Sequence, residues 1–152
     1  MSLLQTVKAA QLSERKARNA IAAASLTTLI GEAEAIGKNS GNRDVTDAEV
    51  VALLKKFIKN NAETHELLSR AAQVLGTGDA RLLVLTTERT LFESFLPKQL
   101  GEVELRAVIV SIVGELDLGA KPKIGDVLKS LKFSHEGTYD GALASKIVKE
   151  YV

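Results

Sequence analysis

Two stretches of this 152-residue sequence carry residue types that could do chemistry. The first, residues 31–39, reads GEAEAIGKN and has the two glycines and the lysine of a phosphate-binding loop. That motif requires four residues between its glycines, a Ser or Thr after the lysine, and a preceding strand. Here five residues separate the glycines, Asn39 follows the lysine, and a helical pattern precedes them. We therefore interpret this stretch as the end of a helix.

The second stretch begins with His65 and Glu66, the first two residues of an HExxH zinc motif. Ser69 occupies the position of the second histidine, and a single histidine cannot hold zinc. His135, the other histidine, lies far along the chain. No nucleophile stands at a recognisable spacing from a base, and paired acidic residues are typical of solvated helix faces. The sequence therefore predicts no catalytic residue, no metal site and no cofactor.

Composition excludes several further classes of protein. Twenty Lys and Arg residues against nineteen Asp and Glu leave a formal charge of +1, so no global basic field indicates a chromatin or ribosomal protein. The absence of cysteine excludes disulfides and thiolate catalysis and fits a reducing cytosol. No apolar run approaches the roughly 18 residues of a membrane span. We expect a soluble, cytoplasmic protein with no membrane partner.

The elements that would position any site are predicted to be helices. Ala, Leu, Lys and Glu dominate, only two prolines occur, and no β-branched alternation marks a strand. A capping box at Thr46 and Glu49 starts a long helix, and Asp79 and Asp140 are further helix caps. The first predicted helix covers residues 2–12, and the second runs from a cap at Ser13 and Glu14 to about Ile36, with Gly37 as its stop. Two further helices cover 47–75 and 80–95. Beyond them a helix restarts at 101–104, a short helix passes through 127–131 and ends before a loop at 133–141, and a last helix follows Asp140.

Pro97 divides this all-α chain. It lacks an amide proton and disfavours a helical residue before it, so a helix should end near Leu96 and another should begin beyond it. We expect two small helical domains joined between Leu96 and Pro97: an N-terminal bundle, 1–96, and a C-terminal three-helix domain, 97–152. Pro97, Lys98 and Gln99 would form the hinge. The long helix 47–75 suggests a protein-interaction adaptor as one hypothesis.

The run FLPKQL followed by EVEL, and further along IGDVL and EGTYDGALASKIVKEYV, resembles the YqeY family. These proteins are small stand-alone relatives of the helical tail of the B subunit of the tRNA-dependent Asp/Glu amidotransferase, GatB. The resemblance covers essentially the whole chain. It implies an N-terminal helical domain, a smaller C-terminal three-helix domain, and a tRNA-facing module without a catalyst. The family's label of carbon–nitrogen ligase with glutamine as amido donor belongs to the full enzyme.

The sequence departs from the family pattern in charge. Basic positions of the family's last domain are occupied here by Asp126, Ser134, Glu136, Thr138 and Ala142. Six lysines remain as RNA-binding candidates: Lys121, Lys123, Lys129, Lys132, Lys146 and Lys149. The resemblance implies tRNA or another structured RNA as a partner, with an aminoacyl-tRNA amidation or synthetase enzyme as a further one. The alternatives are a helical adaptor that does not bind RNA and, for the lysines, scattered solvating charges.

Overall fold

The computed structural model describes residues 1–117, 119 and 121–152. Within these residues the secondary structure is entirely helical, which confirms the predicted all-α class. The helices are α1 (Leu3–Lys16), α2 (Ala20–Asn39), α3 (Asp47–Leu75), α4 (Ala80–Glu93), α5 (Glu102–Leu116), α6 (Ile124–His135) and α7 (Gly141–Tyr151). The sequence LGAKPK at 118–123, whose glycine and proline predict a turn, includes Leu118 and Ala120, which lie outside the described residues.

The chain falls into two compact units, Met1–Phe95 and Leu96–Val152. The first contains α1 to α4 and the second contains α5 to α7. Helix α4 ends at Glu93 and α5 begins at Glu102, so the predicted interruption around Pro97 is confirmed. That 1–96 and 97–152 fold as separate domains stays a prediction.

The core of the N-terminal unit forms around α2, which has small side chains on its buried face. Ala22, Ala33 and Leu26 are buried there, and Val7 of α1 and Leu54 of α3 are fully buried. Small residues allow neighbouring helices to approach closely, and the packed apolar area stabilises the unit. Helix α4 packs along α3, where the rings of Phe57 and Phe92 meet edge to face at 5.5 Å. The sequence pattern of the fourth helix predicts that Leu82, Leu85, Phe92 and Phe95 face inward; Phe92 is buried, and the other three are half-buried.

The predicted boundary between the first two helices was wrong. Helix α1 runs through Ser13 to Lys16, because Glu14, Arg15 and Lys16 are good helix formers and the basic pair lies favourably at the C-terminal end. The cap of α2 is Asn19 instead, whose side chain accepts a hydrogen bond from the Ala22 amide at 3.4 Å. Arg18, between the helices, has a left-handed φ of 60°.

Gly37 does not stop α2, which continues to Asn39. The glycine is buried, and its carbonyl accepts a hydrogen bond from the Arg43 amide at 3.1 Å. A Cβ at this position would lie 2.3 Å from the Arg43 carbonyl oxygen. Gly37 therefore allows the following loop to lie close to α2. Residues 31–39 lie within the last turns of α2, so the interpretation of the phosphate-loop-like stretch as a helix end is confirmed.

By length and composition alone, α2 could cross a membrane. From the sequence, no apolar run of this length is expected. A core helix of a globular protein passes the same test, and α2 buries Leu26, Leu29 and Ala33 in the N-terminal unit. Length and composition are therefore weak evidence for a span, and the absence of a membrane partner stays a prediction.

The caps predicted for α3, α4 and α7 are confirmed. The Thr46 hydroxyl accepts from the Glu49 amide at 3.3 Å, and the Glu49 carboxylate accepts from the Thr46 amide at 2.8 Å. Gly76 ends α3 with a left-handed φ of 65°, and Asp79 and Asp140 cap α4 and α7. Helix α4 ends two residues earlier than predicted, and the Phe95 amide then donates to the carbonyl of Phe92, three residues back, at 3.2 Å.

The C-terminal unit is a three-helix core. Its central side chains come from all three helices: Leu105, Ile109, Val127, Leu131, Ala144, Ile147 and Val148. Helix α6 continues to His135, so the predicted start of the following loop at Phe133 was wrong. The cause is that α6 places Leu131 in the core and completes another turn before Gly137, which has a φ of 79°, reverses the chain.

Candidate nucleic-acid interface

All six candidate lysines are exposed on the C-terminal unit. Lys129 and Lys132 lie on α6, Lys146 and Lys149 lie on α7, and Lys121 and Lys123 precede α6. In α6 the core positions are Val127 and Leu131, so the intervening and following lysines fall on the solvent side of the helix. The helical periodicity that builds the core therefore presents these cations to solvent.

The six lysines differ in their pairing from four arginines, Arg43, Arg70, Arg81 and Arg106. Within the described part of the chain, none of the six has its ammonium nitrogen within 4 Å of a carboxylate oxygen. Arg43 pairs with Glu49 at 2.6 Å, and Arg81 pairs with Asp79 at 2.7 Å. Unpaired, solvated ammonium groups are available to phosphate oxygens, whereas paired guanidinium groups must first give up a carboxylate.

The acidic residues near the lysines are partly engaged elsewhere. Glu150 accepts a hydrogen bond from Arg106 at 2.5 Å, and this bond, assisted by the charges of Arg106 and Lys146, lowers the pKa of the Glu150 carboxyl. The Asp140 carboxylate accepts from two amides of α7. Asp126 and Glu136 are exposed and oppose the lysines most directly.

Cations of the N-terminal unit are split between paired and unpaired groups. On α3, Lys56 pairs with Glu32 at 3.4 Å and Lys59 pairs with Glu63 at 3.9 Å. Arg15, Lys16 and Arg18, at the junction of α1 and α2, are exposed, and their side chains make no ion pair with any described residue. This junction is the chain's second basic surface.

A polar network that sequence reasoning missed joins α2, α3 and α4. Glu88 accepts hydrogen bonds from the Ser25 hydroxyl at 2.6 Å and from the Asn61 amide at 3.3 Å. Asn61 also donates to the Leu85 carbonyl at 2.9 Å and accepts from Arg89 at 3.2 Å. The network lies along a groove of about 300 Å³. The available signal was Asn61 itself, a polar residue in the inward register of α3.

His65 lies on α3 and His135 lies on α6. Among the residues that the structure describes, no three His, Asp or Glu side chains gather at a spacing that could hold a metal ion. The buried Nδ1 atom of His135 has no hydrogen-bond partner in the structure. The candidate interface is therefore defined by the six exposed lysines and by no histidine.

Comparison with known protein families assigns the chain to a family. A family model described as Yqey-like protein matches residues 2–152, which is essentially the whole chain. The chain belongs to the YqeY family. No curated protein sequence matches it closely.

The positions that the resemblance implies to be basic in other YqeY-family proteins are mostly solvent-exposed here. Asp126, Ser134, Glu136 and Ala142 are exposed, so a basic residue would fit at each without entering the core. Thr138 is half-buried, and its hydroxyl donates to the His135 carbonyl at 2.8 Å. Thr138 therefore holds the loop between α6 and α7, while the other four positions determine surface charge.

The predicted hinge residues Pro97, Lys98 and Gln99 are exposed and lie between α4 and α5. The Gln99 side-chain amide donates to the Gly137 carbonyl at 2.8 Å, and the Leu100 amide donates to the Thr138 carbonyl at 2.7 Å. Gln99 is thus tied to the loop between α6 and α7. Any pivot in this YqeY-family segment has to lie before Gln99, and its role as a hinge stays a prediction.

Proposed function

We propose that this YqeY-family protein is a non-catalytic accessory module that binds tRNA or another structured RNA through its C-terminal unit. The observation that carries the proposal is the set of six exposed lysines without carboxylate partners among the described residues. Family membership supports it, because YqeY proteins resemble the tail of an amidotransferase subunit that meets tRNA. We further propose a cytoplasmic location and a link to an aminoacyl-tRNA amidation or synthetase enzyme.

The proposed binding is weak and dependent on salt. Each phosphate neutralised on a duplex contributes about 0.9 to the slope of log affinity against log salt concentration. Two or three contacts give a slope of about −1.8 to −2.7, so raising salt from about 50 to about 200 mM weakens binding roughly 10- to 40-fold. Contacts to phosphate also tolerate changes of base sequence.

The test is filter binding of total tRNA at two salt concentrations to the wild type and to the Lys129→Glu, Lys132→Glu double variant. The double variant should bind more weakly while keeping its circular dichroism spectrum, because both side chains are solvent-exposed. A matched control is Lys56→Glu with Lys59→Glu, an exposed pair at the same spacing on α3. Absence of any binding at low salt, or equal losses in both double variants, would contradict the proposal.

One observation favours a helical adaptor as the second candidate function. The exposed large apolar residues of the N-terminal unit include Leu67, Val74, Leu75 and Leu83, with Val74 86% exposed. They lie in the C-terminal half of α3 and the first turn of α4, where Arg70 and Arg81 are paired with Glu66 and Asp79. An apolar surface whose neighbouring charges are paired suits a protein partner better than RNA. Val74→Ser with Leu83→Ser should then abolish partner binding and leave RNA binding unchanged.

A further inference from the structure

Phe133 has almost no contact with the rest of the protein. Its side chain is 95% exposed on α6, whereas Val127 and Leu131 of the same helix are fully buried. Phenylalanine is among the residues most often buried, and its ring contributes to stability only when packed. Phe133 therefore has no role in holding the C-terminal unit together, and its exposed ring is available to a ligand.

The surroundings of the ring are cationic on one side. Lys129 precedes Phe133 by one helical turn on the same face, and Lys132 is its neighbour in sequence; both are exposed and make no ion pair with a described residue. Asp126 and Glu136 are the acidic residues at the two ends of this surface. The hydroxyl of Ser134 donates to the Ser130 carbonyl at 2.6 Å and is thus already bonded.

We infer that Phe133 stacks on an unpaired base of the RNA whose phosphates Lys129 and Lys132 contact; this inference rests on the proposed function. Stacking on a base needs one exposed ring face and nearby cations for the flanking phosphates, and α6 offers both. A stable protein contact instead needs about 800 Å² on each partner. The next large apolar side chain exposed on α6 is Ile124, 36% exposed and nine residues away, so α6 offers no second exposed large apolar side chain beside Phe133.

This assignment specifies the class of RNA that is bound. In a regular A-form helix the bases are stacked inside and offer no free face, whereas loops, bulges and ends can splay a base outward. The protein therefore discriminates in favour of structured RNA that presents an unpaired nucleotide. The lysines supply affinity for both kinds of RNA, and Phe133 supplies the preference.

The experiment measures binding of the full chain at low salt to a stem–loop RNA and to a fully paired duplex with the same number of phosphates. Wild type should prefer the stem–loop. Phe133→Ala should weaken stem–loop binding by about five- to a hundredfold and leave duplex binding unchanged. Val103→Ala is the matched control, because Val103 is an exposed apolar residue of α5 in the same unit; it should change neither affinity.

A second variant gives a direct signal. The chain contains no tryptophan, so Phe133→Trp introduces a single indole whose fluorescence reports on this site. This variant should keep the preference for the stem–loop, and its emission should be quenched by the stem–loop and not by the duplex.

The outcomes separate the two proposals. If wild type binds neither RNA, the proposed function and this inference both fail. If wild type binds RNA and Phe133→Ala leaves the stem–loop preference unchanged, the proposed function survives and stacking by Phe133 is wrong. A change of oligomeric state in Phe133→Ala without a change in RNA binding would also overturn the inference, because the ring would then serve a protein contact.

Discussion

The Asn61 side chain on α3 donates a hydrogen bond to the Leu85 main-chain carbonyl on α4 at 2.9 Å. Asn61 is only 6% exposed, and it also contacts Glu88 and Arg89. Replacing Asn61 by Leu should destabilise the protein by about 1–3 kcal/mol, because partly buried polar groups on α4 lose their partner. Urea unfolding followed by circular dichroism measures the change.

Asn60 provides the control for this prediction. It is the exposed neighbour of Asn61 on the same helix, so Asn60→Leu should change the free energy of unfolding by no more than about 0.5 kcal/mol. Equal unfolding midpoints for Asn61→Leu and Asn60→Leu would show that the network does not stabilise the packing of α3 on α4.

Two glycines of α2 should respond in opposite directions to the same substitution. Gly31→Ala should stabilise the protein by up to about 1 kcal/mol, because its Cβ meets nothing within 4 Å and alanine favours the helix. Gly37→Ala should destabilise it by about 1–3 kcal/mol, because its Cβ would lie 2.3 Å from the Arg43 carbonyl and displace the loop. Thermal unfolding of the two single variants measures both changes, and a stabilised Gly37→Ala would contradict the close approach.

Features of the fold that depend on neighbouring residues could be predicted from the sequence. Thr46 with Glu49 forms a capping box within four residues, and Asp140 caps α7 through amides two and three residues away. Gly37 shows the limit, since its role depends on the Arg43 carbonyl and so on the path of a loop. The interpretation of Gly37 as a helix stop used only the preference of glycine for the end of a helix.

The same distinction applies to the candidate site. The six lysines could be identified from residue type and family resemblance, and their exposure follows from helical periodicity. The partners of Asn61 lie 24, 27 and 28 residues away on α4, so only the packing of the two helices reveals them. The exposure of Phe133 was missed because it depends on α6 continuing to His135.

The stability of the N-terminal unit should depend on pH through Glu49. Its hydrogen bonds with the Arg43 guanidinium and, next, with the Thr46 amide lower the pKa of the carboxyl from its usual 4.5 to about 2. A lowered pKa in the folded state means that the contribution is fully present above pH 4.5 and is lost as pH falls towards 2. Glu49→Gln should therefore remove part of the acid dependence of the urea midpoint in this window.

Glutamine keeps an oxygen that can accept from the Thr46 amide, so the substitution mainly removes the charge. The difference between wild type and Glu49→Gln should be greatest above pH 4.5 and should disappear below about pH 2. A difference that is constant across this window would mean that the side chain acts through packing, independently of its ionisation.

Asp126→Lys should strengthen the proposed RNA binding. Asp126 is an exposed residue of the first turn of α6, at a position that the resemblance implies to be basic in the family, and Lys129 follows it by three residues. The substitution removes a charge that repels phosphate and adds one that can contact it. The slope of log affinity for tRNA against log salt should therefore steepen by up to about 0.9. Losing a carboxylate at a helix N-terminus should reduce stability by only about 0.3–1 kcal/mol.

Asp44→Lys makes the same charge change at an exposed position of the N-terminal unit and should leave the slope unchanged. If both variants give the wild-type slope with intact circular dichroism spectra, the α6 surface is not where RNA binds, and the adaptor function becomes the better proposal.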